Sequence, residues 1–427
     1  MLKNNILRAC VLSLPLLIGC SLSLAQAWAA DSSLSLSTAI EIAVKHNTEL
    51  NALRDEKGLY EAARIRAGLL PNPTVELEAA TGRFTGNKRE NNMTVAVSQE
   101  LSLAGKRRKR IAIAEREMDM YSWRLADRDR LLREEVKTDF LDALLAKERA
   151  ALAERYVIIN RQLFEVARER FAVGDIPELE LNLVKVELAR SEVNRVEMSK
   201  AMQQSLSRLS TVMGLVSGSQ PEIEGALEAG IDMAKQLPEL KQLAGASRPD
   251  IKLLEAEKAR GDADIALAQA EKIPDLTAGV LFKRERTAAD SGGVNTVGVR
   301  LSVPLPLFDR NQAGIMEART KKYSTENRFV AATKTVEREV EAAYATYLSA
   351  TTVLSLYKAD IIPQLEENLK LTQDAYRLGE VGILPVIQEQ KKFFEVNDGY
   401  LTALHSRQIA LVKLESVTAS ELNGGKR

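Results

Sequence analysis

Cysteine is all but absent. The only two, Cys10 and Cys20, fall near the start, so the rest of the chain can form no internal disulfide and must be stabilised by packing. Histidine is as scarce: His46 and His405 stand far apart, which leaves no Cys/His spacing for a zinc or redox centre, and each reads as an ordinary surface residue. No nucleophile beside a base, no acid pair at a usable spacing and no phosphate-binding glycine loop is found, so neither an enzyme nor a cofactor or metal site is expected. Net charge is missing too. With 59 basic and 59 acidic side chains the formal total is zero, which removes the global field that sequence-independent nucleic-acid binding needs. Aromatics are 5% of the chain and charged residues 28%, a balance that favours long Ala/Leu/Glu/Arg/Lys helices over compact α/β domains. After the first residues no apolar run is long enough for a helical membrane span.

The one long apolar run, "ACVLSLPLLIGCSLSLAQAWAADSS", follows Lys3 and Arg8 and reads as an export signal over residues 1–29. Two cleavage readings stay open. Ala27-Trp28-Ala29 fits the small-x-small rule, whereas Leu17-Ile18-Gly19-Cys20 resembles a lipobox that would leave Cys20 acylated.

What is present is written twice. "TELNALRDEKGLYEAARIRAGLLPNP" from Thr48 aligns with "PDIKLLEAEKARGDADIALAQAEKIPD" from Pro249, "SQELSLAGKRRKRIAIAE" with "SVPLPLFDRNQAGIMEA", and "RFAVGDIPELEL" with "AYRLGEVGILPV". The offset of about 200 residues is held in order, the sign of two copies of one unit. Copy one is expected at 34–248 and copy two at 249–420, with 214–248 a glycine- and proline-containing connection midway along the side. Each copy reads as a helix, a proline break, two alternating segments, a very long helix, a glycine turn and a returning helix.

The alternating segments are expected as strands at about 74–82, 92–103, 275–285 and 294–305. Val75, Leu77, Ala79, Met93, Val95, Val97, Leu276, Ala278, Val280, Phe282, Val297, Val299 and Leu301 fall on apolar faces. Glu76, Glu78, Thr94, Ser98, Thr277 and Arg300 fall on polar ones. Strands of this span and alternation suit an outer-membrane β-barrel, and also a soluble sheet with one buried face. Four strands cannot close a barrel, since closure starts at about eight. If they span a membrane, several chains must share one barrel.

The helix from about Lys106 to Phe171 contains no proline and carries a 3-then-4 seam through Tyr156, Ile159, Leu163 and Val166. Returning helices from about Glu178 to Met213 and from Pro385 to Val417 are half as long. Single helices over Ser37–Leu70 and Asp250–Lys272 supply the other halves, and Asn311–Tyr376 is the second long helix. The basic run Lys106, Arg107, Arg108, Lys109 and Arg110 then begins a long helix directly below the strands. Headgroups of a membrane leaflet or plain solvation can offset the unfavourable helix dipole there.

The phrases "AGLLPNP", "SQELSLAGKR", "RPDI", "IPDLTAG" and "VPLPLFDRNQAGI", each at the same point of its copy, resemble the TolC-like outer-membrane efflux proteins. The wording is most similar to the cobalt-zinc-cadmium resistance (CzcC) group. The resemblance implies a mainly α fold with a small β part, in which duplicated long helical hairpins form a periplasmic tunnel. It also implies a homotrimer whose three chains each give four strands to one twelve-stranded outer-membrane barrel. It implies a passive duct of a tripartite system for heavy-metal cations, working with a periplasmic adaptor and an inner-membrane RND pump and seated in outer-membrane lipid. Drug efflux and type I secretion channels share the plan, and a periplasmic adaptor or coiled-coil scaffold is the competing class.

Phe171, Val173 and Gly174 match the family's first tip motif, and Tyr376, Leu378 and Gly379 the second. Adaptor contact is therefore expected around the turns 173–178 and 378–385, and Asp175, Glu178, Glu180 and Glu380 either lend negative charge at the tunnel entrance or are solvated surface charges. Where TolC has entrance aspartates this chain carries Pro385 and Gln388, while Glu180 matches the acidic residue of the first copy, so TolC's gating network does not transfer.

Overall fold

The computed structural model describes residues 33–86, 90–216, 218, 221–228, 233, 235–287 and 292–422. The export signal, Cys10, Cys20 and the lipidation reading lie outside the described residues. Chain order is α1 (Leu36–His46), α2 (Thr48–Asp55), α3 (Lys57–Gly68), β1 (Thr74–Thr81), β2 (Asn91–Leu101), α4 (Lys106–Ala172), α5 (Glu178–Val212), α6 (Leu237–Ser247), α7 (Pro249–Ala270), β3 (Leu276–Arg286), β4 (Val294–Ser302), α8 (Gln312–Leu356), α9 (Ile362–Arg377) and α10 (Ile383–Thr418). The protein is mainly α-helical with one small sheet.

Helix α4 holds 67 residues with neither glycine nor proline, about 100 Å at 1.5 Å per residue. It is too long for one partner. The half-length helices α7 and α10 both pack between α4 and α8, while α3 and α5 both pack on the other side of α4. Each tier of helices is thus a layer of four columns: α3 or α5, then α4, then α7 or α10, then α8 or α9. The largest apolar cluster lies where α1 crosses this layer, joining Ala39, Ile42 and Ala43 to Leu132, Val136, Phe140, Leu209, Met213 and Leu404. Fully burying a leucine, isoleucine, valine, methionine or phenylalanine side chain there contributes about 1.5–3 kcal/mol.

The sheet is two antiparallel hairpins paired through β2 and β3 in the order β1-β2-β3-β4, so its two edge strands have no outer partner among the described residues. Register aligns Val75, Val97, Val280 and Val299 in one row and Leu77, Val95, Phe282 and Val297 in the next. The apolar positions therefore share one face across all four strands. Most of that face is solvent-exposed, Leu77 at 73% and Val299 at 77%.

Four expectations need correction. The Ser37–Leu70 helix is three helices, broken first at Asn47 and again at Glu56. The Asn47 side chain caps the Leu50 amide at 3.0 Å and donates to the Val212 carbonyl at 3.0 Å, tying the break to the end of α5. Gly214 passes so close that a Cβ there would stand 2.4 Å from the His46 carbonyl oxygen. The Asn311–Tyr376 helix is interrupted by a π-helical turn at Tyr357–Ile361, just before Pro363, which cannot donate to the preceding turn. The second tip turn ends at Gly382, and Pro385 sits in the first turn of α10, where a missing amide costs nothing. Finally, His405 is no free surface residue: Nε2 lies 2.8 Å from Asp142 Oδ1 and the side chain is 16% exposed.

Candidate functional site

Both hairpins end on the same backbone device. At the first tip Gly174 adopts φ +76, its amide donates to Phe171 O at 2.9 Å, and the Asp175 amide reaches back to Arg170 O at 2.9 Å. At the second tip Gly379 adopts φ +78, with Gly379 N to Tyr376 O at 3.1 Å and Glu380 N to Ala375 O at 2.9 Å. This pair of bonds satisfies the last helix carbonyls and requires a left-handed residue, which is why glycine stands at both points. What a partner would meet at the tips is Val173 at 80% and Leu378 at 75% exposure, beside Asp175 and Glu380.

Tyr376 is not part of that surface. It is 1% exposed and sits in a core with Leu163, Ala167, Ile176, Val184, Ile383 and Val386 that welds the two tips of one chain. Arg170 closes the weld from the first hairpin. Its guanidinium stands 4.7 Å from the Tyr376 ring centroid, donates to Tyr376 O at 2.9 Å and pairs with Asp175 Oδ2 at 2.6 Å. Burial pushes the Tyr376 phenol above its ordinary value, with Arg170 opposing. Its hydroxyl finds no hydrogen-bond partner among the described residues.

Arg170 escapes a motif-based reading because its counterpart in the second copy is Ala375, so the duplication gives it no signal. Only its place in the last turn of α4, where a cation suits the helix dipole, hints at a role.

Three of the four tip acids, all but Glu380, have structural explanations of their own. Asp175 is engaged by Arg170. Glu178 and Glu180 occupy the first turn of α5, which favours negative charge. Glu180 is half-buried, with Oε1 4.0 Å from where a Cβ on Gly382 would lie, so it leans on the second tip. Phe171 is exposed at 39%.

The basic run divides. Lys106 is buried, its Nζ 2.9 Å from Asp275 Oδ1, and the Leu103 amide donates to the same oxygen at 2.8 Å. Burial pushes the Asp275 carboxyl up, but the bonds from Lys106 and Leu103 outweigh it and hold the group below the usual carboxylate range. Arg107 donates to Gly68 O at 2.7 Å and Lys109 to Ala104 O at 3.2 Å. In the second copy Asn311 makes the corresponding tie to Ala268 O at 2.9 Å. Arg107 and Arg108 remain exposed, Arg110 half-exposed. Across the junction an open groove of about 1130 Å³ is lined by Leu307, Phe308, Met316, Tyr323, Arg310 and Arg319.

No metal-binding group of three or more His, Cys, Asp or Glu exists among the described residues. None of their helices is long and apolar enough to cross a membrane, which says nothing of the strands.

The comparisons with known proteins agree with this geometry. The cobalt-zinc-cadmium resistance protein CzcC of Cupriavidus metallidurans is 25% identical over 384 residues, covering 90% of each chain. The nickel-cobalt-cadmium resistance protein NccC of Alcaligenes xylosoxydans is 25% identical over 68% of this chain and 63% of its own. The pyoverdine export outer membrane protein OpmQ of Pseudomonas putida is 22% identical over 87% and 83%. Among solved structures, CusC superposes with a TM-score of 0.76 at 18% identity, covering 90% of this chain and 92% of its own. The model of the outer membrane efflux proteins matches residues 39–215 and 240–420, one match for each hairpin, and the chain belongs to that family.

Proposed function

We propose that three copies of this chain form the outer-membrane duct of a tripartite efflux system that exports heavy-metal cations. The observation that carries the assembly is a shared open order. The sheet runs β1 to β4 and the helical layer runs from the α3/α5 column to the α8/α9 column, and in both the first and last members have no further strand or long-helix column on their outer side among the described residues. A head-to-tail interface that closes by rotation satisfies both at once. Three copies would give twelve strands and twelve helical columns, with the exposed valine and leucine rows turned to lipid. An unpaired strand edge is otherwise a site of uncontrolled pairing.

In this arrangement the tips lie at the far end of the tunnel, where Val173, Leu378, Asp175 and Glu380 would meet a periplasmic adaptor linked to an inner-membrane RND pump. The exposed part of the basic run, Arg107 and Arg108, would face outer-membrane headgroups below the barrel. Family members are passive channels and this chain is not an enzyme. Membership also replaces the adaptor and scaffold readings. Metals as cargo are supported by the names of CzcC and NccC. The match to OpmQ favours a second reading, export of a small organic molecule.

The test is membrane fractionation, detergent extraction and mass before and after boiling, followed by deletion and a tolerance panel. A heat-sensitive trimer in the outer membrane and loss of cobalt, zinc or cadmium tolerance are expected. A soluble monomer would sink the assembly, and unchanged metal tolerance with lost pyoverdine export would move the cargo to the second reading.

A further inference from the structure

Two charged side chains on the sheet meet although their strands do not. Arg300 on β4 donates from Nη1 to Glu76 Oε2 on β1 at 2.8 Å, and β1 and β4 are the two edges of the sheet. Three interstrand spacings separate those edges, about 14 Å on a flat sheet. The sheet therefore curls toward the face that carries the pair. What lies beneath is small: Arg300 is registered opposite Gly279, Gly279 opposite Ser98, and Glu76 opposite Ala96. A Cβ on Gly279 would stand 2.8 Å from the Val97 carbonyl oxygen and 3.0 Å from Ser98 Cβ, so glycine there is what the close approach of backbone demands.

The concave face is the polar one. Alternation and register place Glu76, Glu78, Glu100 and Glu285 on it, against Lys283 and Arg300. Lys283 pairs with Glu285 on its own strand at 2.8 Å. Glu78 and Glu100 have no ion-pair partner among the described residues. Arg284 and Arg286 alternate to the apolar face. The pair sits low on the strands, because β1 begins at Thr74 and β4 ends at Ser302, next to the helices.

We propose that the Arg300–Glu76 pair sets the charge selectivity of the barrel at its junction with the helical tunnel. This rests on the trimeric channel reading, in which the concave face becomes the lumen wall and the pair recurs three times around the axis. Arg300 masks the Glu76 carboxylate, so Glu78 and Glu100 supply the remaining preference for cations. A water-filled lumen screens charge over about 8–10 Å, so a ring of fixed charges acts on an ion chiefly as it passes that level. Arg300 is a specificity-determining residue: removing its charge exposes three carboxylates, and removing Glu76 exposes three guanidiniums.

The experiment is single-channel recording of the purified trimer in planar bilayers under a KCl gradient, for the parent, Arg300→Gln, Glu76→Gln and the double variant. Arg300→Gln is expected to raise the potassium-to-chloride permeability ratio about twofold or more, and Glu76→Gln to lower it by a similar factor. The double variant should return close to the parent, since one charge of each sign is lost together. Equal reversal potentials in all four conducting channels would overturn the inference and leave the channel reading intact. A parent that yields neither a heat-sensitive trimer nor a conducting channel would overturn both. If Arg300→Gln yields no heat-sensitive trimer, Glu76→Gln carries the test alone, and a ratio unchanged from the parent is again the refuting result.

Discussion

The Arg170 guanidinium lies 4.7 Å from the ring centroid of Tyr376 and donates to its carbonyl at 2.9 Å, so a residue of the first hairpin holds the last turn of the second. The two tips of one chain are consequently tied to each other. Removing Arg170 takes away a cation–π contact, a carbonyl bond and an ion pair to the exposed Asp175, of which the first two matter more because water screens the third. Arg170→Ala is expected to speed amide exchange across 171–176 and 376–383 at least tenfold while the central helices keep their protection. Unchanged exchange at both tips would mean that the apolar core there suffices.

Tyr376→Phe is expected to be neutral or stabilising by up to about 1 kcal/mol. The hydroxyl is buried with no partner among the described residues, so deleting it removes a desolvated polar atom and no hydrogen bond. Thermal unfolding of the detergent-solubilised protein checks this. A clear loss of stability would reveal a hydrogen bond made in the assembled protein.

How much of this was open to sequence reading depends on range. Period-two alternation is local, so Val75, Leu77, Val97 and Val299 identify their own face without any knowledge of pairing, and the four strands are found to within a few residues. The tip glycines are legible for the same reason, each answering to its own turn. The break at Asn47 is not. It exists because α5 ends against it, a contact between residues 165 apart. Lys106 misleads in a similar way: a run of five cations reads as one surface, and only the fold delivers Asp275 to its first member. The motif places Tyr376 at the tip, yet its burial follows from Leu163 and Val184 on the other hairpin.

Arg248 is a second arginine that the fold hides. It is buried where α6 meets α7, bonded to Asp250 at 2.7 Å and to Glu339 of α8 at 2.5 Å. Arg248→Leu is expected to cost about 2 kcal/mol, because the two carboxylates it leaves are partly exposed and recover some hydration. Thermal unfolding against the parent is the measurement, and a change within about 0.5 kcal/mol would show the pair to be dispensable.

The same pair makes an acid-sensitive point. Burial pushes the Asp250 carboxyl up, but its bonds to Arg248 and the nearby charge of Arg130 outweigh this and hold it below the usual carboxylate value. A depressed folded-state value means the unfolded chain binds the proton first. The contribution is therefore complete above about pH 4–5 and is lost as the pH falls through the folded-state value. Stability measured between about pH 6 and pH 3 should fall less steeply in Asp250→Asn than in the parent. Parallel curves would show that other carboxylates govern acid unfolding.

The face assignment of the strands can be tested by two substitutions at adjacent positions. Val297 lies in the row with Leu77, Val95 and Phe282 on the apolar face, whereas Thr296 lies in the row with Glu78, Thr94 and Lys283 on the concave one. If the apolar face meets lipid, an arginine at position 297 must be buried in hydrocarbon or distort the bilayer, at a cost of about 2–4 kcal/mol per copy near the midplane. The same side chain at position 296 points into water and costs little. Val297→Arg should therefore abolish most of the heat-sensitive trimer recovered from outer membranes, and Thr296→Arg should leave it near the parental amount. Equal losses in both would mean that each side of the sheet is packed against protein, and the shared barrel would have to be given up in favour of a soluble sheet.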